Sequence, residues 1–227
     1  MNKTACFLLL ITSLITLTPK AADLPEGFVY VKDHIPTIVL DIRYHGNDNF
    51  VGKQVDGYEK PVGILSLKAT KALMRVQEDL NEFHLGIKLF DSYRPVQSVQ
   101  HFVRWAKDVE DTKMKSRYYP DVNKKHLFRD GYIADKSSHT RGSTVDLTIV
   151  SLKTPEHKEL DMGSRWDLFG PVSWPSSEEP TESQRANRML LQMVMLKHGF
   201  RSLSTEWWHF TLKDEPFPET YFNFPVK

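Results

Sequence analysis

Two short segments of the chain carry residues whose types could bind a metal ion and activate water. His139 and Asp146 lie seven residues apart in SSHTRGSTVD, and Glu206 stands three residues before His209 in EWWH. Zinc accepts imidazole nitrogens and carboxylate oxygens at about 2 Å, and three protein ligands leave a fourth position for water. His139, Asp146 and His209 could form such a set, which leaves Glu206 free to act as a general base.

Each segment also has a simpler interpretation. A histidine in a polar loop is most often an ordinary surface residue, and EWWHF could be a strand whose tryptophans fill the core. Residues three apart in a flat strand point to opposite faces. A site shared by Glu206 and His209 therefore predicts a bulge or a strand start between them.

Three segments with helical periodicity could support these residues. The first runs from Ser66, its cap, to Phe83 and ends before Gly86; its predicted core residues are Ala69, Leu73, Val76, Leu80 and Phe83. The second follows Pro95, with a predicted inner face of Val96, Val99, Val103 and Ala106. The third runs from about residue 182 to 198 and stops at Gly199; its predicted core residues are Ala186, Met189, Met193 and Leu196.

Short apolar or alternating runs predict five strands: FVYV near residue 28, TIVLDIRY near 37, IKLFDSY near 87, VDLTIV near 145 and EWWHFTL near 206. Their irregular order among the helices predicts a single α+β domain, with a small, mostly antiparallel central sheet flanked by helices. Alternation in VDLTIV places Asp146 on the face opposite Val145. Gly142 permits a tight bend that would turn His139 back toward Asp146.

The overall composition is that of a globular protein, and its balanced charge favours a small molecule as binding partner. The chain has 227 residues, of which 40% are hydrophobic and 26% charged, and its formal net charge is +1. No run of five or more like charges occurs, so the sequence lacks the basic patch typical of nucleic-acid-binding proteins. The sequence gives no indication of oligomeric state.

The first 22 residues have the order of a secretory signal peptide. Lys3 precedes an apolar run from Ala5 to Leu17, and small residues follow at Ala21 and Ala22. The run is shorter than the ~20 residues of a membrane span, so we expect no stable membrane insertion once the signal is removed; an uncleaved anchor is the less favoured alternative. The mature domain, residues 23–227, would contain no cysteine. Export without disulfides predicts the periplasm.

Longer motifs resemble one peptidase family. SSHTRGSTVDLT matches the SxHxxGxxxD signature of zinc D-alanyl-D-alanine metallopeptidases, and EWWHF matches their ExxH element. More closely, the chain resembles the D-alanyl-D-alanine dipeptidases, the VanX type involved in vancomycin resistance. The matching segments, in the family's order from about residue 40, are YHGNDNFVGKQVDGYE, DSYRP, KSSHTRGS, MGSRWD, EWWH and DEPFPETYFNFPVK.

The resemblance implies an α+β fold, one zinc ion per chain and hydrolysis of the free dipeptide D-Ala-D-Ala. It makes His139, Asp146 and His209 the zinc ligands, Glu206 the general base, and Arg94 the group that stabilises the developing oxyanion. It further implies that Tyr44 and Asp167 hold the substrate's ammonium group. Ser137 and Ser138 match serines beside the first ligand, which either contact substrate or shape the loop. This sequence departs from the pattern at Thr144, where the signature has alanine, and at Ser92, where glycine is common.

Two alternatives stay open. The nearer one is a DD-carboxypeptidase or another peptidoglycan peptidase, and the farther one is a non-catalytic, zinc-stabilised module that binds wall peptides. Glu206 and Arg94 argue against the second, because a structural zinc site usually closes with a fourth protein ligand and needs no base. The physiological task could be antibiotic resistance, D-alanine salvage or wall remodelling.

Overall fold

A five-stranded sheet forms the centre of the fold in the computed structural model, which describes residues 24–227. The predicted signal peptide, residues 1–22, lies outside the described residues. Within the described part of the chain, no helix is long and apolar enough to cross a membrane. The strands are β1 (Phe28–Tyr30), β2 (Val39–Leu40), β3 (Ile64–Ser66), β4 (Leu85–Asp91), β5 (Thr144–Ser151), β6 (Phe200–Leu203) and β7 (Glu206–Leu212).

The central sheet has the strand order β2-β4-β5-β7-β6, and β1 pairs with β3 in a separate antiparallel ribbon. Among the paired strands in residues 24–227, only β2 and β4 run parallel. The helices are α1 (Val31–His34), α2 (Leu67–Asn81), α3 (Val96–Lys107), α4 (Lys115–Tyr118) and α5 (Glu182–Lys197). This architecture confirms the predicted α+β class with a mostly antiparallel central sheet.

The prediction for α2 is correct except at its C-terminal end. Ser66 caps the helix by accepting a hydrogen bond from the Ala69 N–H at 3.2 Å, and four of the five predicted core residues are buried. Phe83, however, is 68% exposed. The helix has already ended at Asn81, and His84 adopts a left-handed φ of 56° that turns the chain into β4. Gly86 lies within β4 and does not end the helix.

The bounds predicted for the other two long helices are nearly correct, but their buried faces differ. In α3, Val99 and Ala106 are buried as predicted. Val96 and Val103 are only partly buried, and Phe102 and Trp105 complete the buried face instead. In α5 the four predicted core residues are exposed, with Met189 at 56% and Met193 at 63%. Its buried residues are Arg188, Leu191, Val194 and Met195.

Hydrogen bonds of Arg188 explain the orientation of α5. Its guanidinium donates to the Met162 carbonyl at 2.6 Å and to the Trp174 carbonyl at 3.0 Å. These partners allow the arginine to be buried without an unsatisfied donor, so the helix turns this face to the sheet. Apolar periodicity alone could not identify a core face that contains a charged residue.

The five predicted strands exist, although TIVLDIRY forms only the two-residue β2 before a 3₁₀ turn at Arg43–His45. The prediction missed β3 and β6, which have three and four residues. The central strand β5 is buried from Thr144 to Val150, with both faces covered. Its neighbours β4 and β7 bring Asp91 and His209 into register with Asp146.

Candidate active site

Strand register places three polar residues side by side at one end of the sheet. Asp146 in β5 pairs directly with His209 in β7 and with Asp91 in β4. Directly paired residues of neighbouring strands share a face. The sheet therefore presents an imidazole and two carboxylates together, although 63 residues separate Asp146 from His209 in sequence.

A bulge in β7 adds Glu206 to this face. Ser202 of β6 pairs with Phe210 while the next residue, Leu203, pairs with Glu206, so three residues of β7 lie between successive pairs. The irregularity lets Glu206 and His209 approach each other, with 3.4 Å between Oε2 and Nδ1. The ExxH spacing predicted a bulge or a strand start here, and the structure has both a register shift and the start of β7 at Glu206.

His139 reaches the same point from a short 3₁₀ turn at Ser138–Arg141. Gly142 ends the turn with a φ of 78°, and a Cβ there would lie 2.2 Å from the Phe28 ring, so only glycine fits. The His139 Nδ1–H donates to the Ser92 carbonyl at 2.7 Å. This bond fixes the tautomer and leaves Nε2 as a free lone pair.

Three potential ligand atoms converge as a result. Asp146 Oδ1 lies 3.2 Å from His139 Nε2 and 3.1 Å from His209 Nδ1, and the two ring nitrogens are 3.3 Å apart. Among the residues that the structure describes, no hydrogen-bond partner satisfies the buried Asp146 Oδ1. An unsatisfied carboxylate oxygen facing two imidazole nitrogens fits a divalent cation, and this mixture of nitrogen and oxygen ligands is one that zinc accepts.

The electrostatics of the cluster also fit a cation. Burial opposes ionisation of Asp146, but the neighbouring imidazoles of His139 and His209 hold its pKa below the ordinary range. Burial likewise disfavours the imidazolium of His209, yet the neighbouring carboxylates of Asp146 and Glu206 raise its pKa to about 9. In the absence of a metal, a proton therefore takes the place of the cation at this histidine.

Arg94 provides a fixed positive charge beside the cluster. Its Nε and one terminal nitrogen donate to Asp91 Oδ2 at 2.9 and 2.8 Å, and the other Asp91 oxygen accepts from the Tyr58 hydroxyl at 2.6 Å. The guanidinium lies 5.0 Å from the Tyr44 ring centroid and 3.8 Å from Asp146 Oδ2. Burial disfavours its charge, but Asp91 keeps the pKa of Arg94 well above its ordinary value.

Tyr44 and Asp167 form a second buried polar group. The Tyr44 hydroxyl donates to Asp167 Oδ2 at 2.7 Å. Asp167 has a left-handed φ of 63°, which is uncommon for a residue other than glycine and turns the carboxyl inward. Burial raises the pKa of Asp167 well above its usual value. Burial therefore favours the neutral form of this carboxyl, and a cation beside it would favour the charged form.

All nine residues predicted for the site line one cavity of about 220 Å³: Tyr44, Arg94, Ser137, Ser138, His139, Asp146, Asp167, Glu206 and His209. Its remaining wall is largely apolar, with Phe50, Val99, Phe102, Ile133, Phe169 and Leu203 among its residues. A cavity of this size accommodates a small molecule and not a folded polypeptide.

Comparison with known proteins identifies the family of this chain. A family model for the M15 peptidases, described as D-ala-D-ala dipeptidase, matches residues 25–227. The chain belongs to this peptidase family. A D-alanyl-D-alanine dipeptidase of Streptomyces coelicolor is 42% identical over 201 residues, which are 88% of this chain and 98% of that protein. D-alanyl-D-alanine dipeptidases of Enterococcus faecalis and Enterococcus faecium are 39% and 37% identical with the same coverage.

Among solved structures, a Zn(II) complex of the vancomycin resistance D,D-pentapeptidase VanY covers 70% of this chain and 78% of its own. The identity is 11% and the TM-score is 0.41, a likeness too slight to bear on the chemistry.

The two departures from the pattern of the M15 dipeptidases lie behind the cavity wall. The Thr144 hydroxyl hydrogen-bonds that of Thr211 at 2.9 Å, across β5 and β7. Ser92 Oγ accepts from the Ile64 N–H at 3.1 Å, while its carbonyl holds His139. Neither side chain lines the cavity, so both substitutions affect packing.

Sequence analysis missed three residues of this M15 site. Asp91 lies in the quoted DSYRP motif but was given no role, and it holds Arg94. Trp166 lies in MGSRWD and donates its indole N–H to Asp146 Oδ2 at 3.4 Å. Lys136 precedes the two serines and lines the cavity. The motifs contained all three, but only the fold shows what each one contacts.

Proposed function

We propose that this M15 family member is a zinc-dependent dipeptidase that hydrolyses free D-alanyl-D-alanine to two molecules of D-alanine, with Glu206 as the general base. The observation that carries the proposal is the convergence of two imidazole nitrogens and an unsatisfied carboxylate oxygen beside Glu206, in the cavity that also contains the buried Tyr44–Asp167 pair. The names of the relatives support the choice of dipeptide.

His139 Nε2, Asp146 Oδ1 and His209 Nδ1 would hold one zinc ion. When bound, zinc supplies Lewis acidity and lowers the pKa of a coordinated water toward about 7. His139 is prepared for this role by the hydrogen bond from its Nδ1 to the Ser92 carbonyl, because such partners orient a ligating ring and strengthen it as a ligand.

Glu206 is the proton carrier. Its side chain is 29% exposed and lines the cavity next to His209, so its carboxylate is accessible to the water that attacks the peptide carbonyl. It accepts the proton of that water and then passes it to the nitrogen of the leaving D-alanine. The peptide C–N bond breaks as this nitrogen is protonated.

Arg94 stabilises the negative charge that develops on the carbonyl oxygen. Because Asp91 holds two of its nitrogens, the guanidinium is already oriented before the reaction begins. A preorganised donor of this type is typically worth about 3–4 kcal/mol of transition-state stabilisation.

Asp167 and Tyr44 would bind the free ammonium group of the substrate. An ammonium ion that enters a buried site needs a carboxylate partner, and its charge would favour the ionised form of Asp167. Peptides with an acylated amino group would leave Asp167 without its cation, which gives a physical basis for a preference for free dipeptides.

The two serines have different surroundings. Ser137 Oγ accepts a hydrogen bond from the His139 N–H at 3.3 Å, and Ser138 Oγ lies 3.3 Å from His209 Nε2. We assign Ser137 to shaping the ligand loop and Ser138 to orienting His209, with substrate contact as a further role for both.

We also propose export to the periplasm through the signal peptide of residues 1–22, where the enzyme would meet released dipeptide.

Side-by-side assays of D-Ala-D-Ala, L-Ala-L-Ala and N-acetyl-D-Ala-D-Ala, with and without a chelator, test the proposal. We expect hydrolysis of the free D,D-dipeptide, loss of activity with chelator and its return with Zn²⁺. Preferential cleavage of the acylated peptide would identify a carboxypeptidase instead, and absence of hydrolysis from the zinc-loaded protein would overturn the enzymatic proposal. Accumulation of the unprocessed protein in the cytosol would contradict export.

A further inference from the structure

A cluster of charged residues lies behind the wall that carries Tyr44 and Asp167. Asp48 is at its centre: it accepts hydrogen bonds from Arg43 at 2.6 Å, Tyr118 at 2.8 Å and Arg165 at 3.0 Å, and it forms a salt bridge with Arg117 at 2.9 Å. None of these five residues lines the cavity of the candidate site. The proposed chemistry does not use them directly.

Two of the arginines are close in sequence to the pair that would bind ammonium. Arg43 immediately precedes Tyr44 in the 3₁₀ turn, and Arg165 is separated from Asp167 only by Trp166. Asp48 accepts from Arg43 through Oδ2 and from Arg165 through Oδ1. One carboxylate therefore connects the segment that carries Tyr44 to the segment that carries Asp167, and these two residues meet inside the cavity.

Tyr118 strengthens the connection to the second segment. Its hydroxyl donates to Asp48 and accepts from Arg165 at 2.9 Å, and the Arg165 guanidinium lies 4.2 Å from the centroid of its ring. The Tyr118 carbonyl also accepts from the Phe169 N–H at 2.7 Å. Hydrogen bonds of Arg165 before Asp167 and of Phe169 after it thus restrain the segment in which Asp167 has its left-handed conformation.

We infer that Asp48 is a positioning residue for the ammonium site: it joins Arg43 to Arg165 and thereby keeps the Asp167 carboxyl against the Tyr44 hydroxyl. The inference rests on the proposed function and adds a residue that no resemblance assigned. Asp48 has a second effect through charge. It engages three guanidinium groups, and without it Arg165, two residues from Asp167, would be free to compete with the substrate's ammonium group for that carboxylate.

The test is the kinetics of Asp48→Asn, which retains the shape of the side chain and removes its charge. We expect KM for D-Ala-D-Ala to rise about tenfold while kcat changes less than about twofold, because binding of the ammonium group is weakened and the reacting atoms are not moved. Asp41→Asn is the matched control. Asp41 also binds Arg43, at 2.8 Å, but has no bond to the Arg165 segment, so its KM should stay at the wild-type value.

A double-mutant cycle separates positioning from general loosening of the fold. In an Asp167→Asn background the ammonium partner is already lost, so adding Asp48→Asn should change KM less than about twofold. A full tenfold effect in that background, or an unchanged KM in the single variant, would overturn the inference. Failure of the proposed function is distinguishable, since the wild-type enzyme would then show no hydrolysis to analyse.

If Asp48→Asn does not fold, as judged by circular dichroism, Arg165→Lys replaces it in the same experiment. Lysine keeps the charge but lacks the planar guanidinium that lies 4.2 Å from the Tyr118 ring centroid while one of its nitrogens bonds both Asp48 and the Tyr118 hydroxyl. The same rise in KM is expected, and a wild-type KM in this variant would count against Asp48 as the positioning residue.

Discussion

The Nε2 atom of His139 lies 3.3 Å from the Nδ1 atom of His209, so the two imidazoles face each other through different ring nitrogens. The difference follows from their surroundings. His139 gives its Nδ1–H to a backbone carbonyl in the turn after β4, whereas His209 has Ser138 beside its Nε2. Each ring therefore turns its other nitrogen toward Asp146 Oδ1.

Zinc binding should release a proton at neutral pH, because a proton and the metal compete for His209 Nδ1. With the pKa of His209 raised to about 9, the metal-free imidazole is protonated at pH 7, and affinity for zinc should increase as the pH rises toward 9. Calorimetric titrations with Zn²⁺ in buffers of different ionisation enthalpy measure this release. His34→Gln, at an exposed position, is the control and should release the same number of protons as the wild-type protein. Zinc affinity independent of pH between 6 and 9 would contradict the assignment.

Substitution of Glu206 by glutamine should separate metal binding from turnover. The amide cannot accept the proton of the attacking water, so we expect kcat to fall at least about 10²-fold, the lower end of the range for general base catalysis. Zinc content should remain near one ion per chain, because the three ligands are unchanged. Metal analysis and steady-state kinetics on one preparation measure both. Glu182→Gln, in the first turn of α5, should retain wild-type kinetics. Full activity of Glu206→Gln would refute the assignment of Glu206 as the general base.

Replacement of Arg94 by lysine should reduce kcat more than it raises KM. Lysine retains a charge opposite Asp91 but cannot hold that carboxylate and a developing oxyanion in the same fixed geometry. We expect a loss of about 10²–10³ in kcat, the usual effect of removing one oxyanion donor. Arg104→Lys, whose side chain pairs with Asp56 at the surface, provides the comparison. An increase in KM alone would instead assign Arg94 to ground-state binding.

The sequence predicted the contents of the site better than the packing that supports it. The nine site residues lie in motifs with fixed spacing, and the ExxH spacing of Glu206 and His209 predicted the bulge or strand start that the structure shows. The prediction of the buried face of α5 was wrong because Arg188, a charged residue, occupies a core position, where it donates hydrogen bonds to carbonyls distant in sequence. Such partners cannot be identified from local periodicity, and the same applies to the bonds that connect Asp48 to Arg165.

Asp167→Asn should stabilise the metal-free protein at neutral pH while it impairs hydrolysis. Burial raises the pKa of this carboxyl in the folded state, so between its unfolded and folded values the folded protein binds the extra proton and stability falls as pH rises. An amide at this position does not ionise, can still accept from Tyr44, and tolerates the left-handed φ. The gain should be present at pH 7.5 and vanish near pH 3, where both states of the wild-type protein are protonated.

Thermal unfolding of the two proteins at both pH values measures this effect, with a shift of about 2–4 °C for each kcal/mol. Asp121→Asn, at an exposed position, should show no such dependence. A stability gain of equal size at both pH values would mean that improved packing, and not removal of a titrating group, is responsible. A raised KM for D-Ala-D-Ala together with a gain in stability would show that the buried carboxyl is kept at a cost to the fold because the substrate's ammonium group requires it.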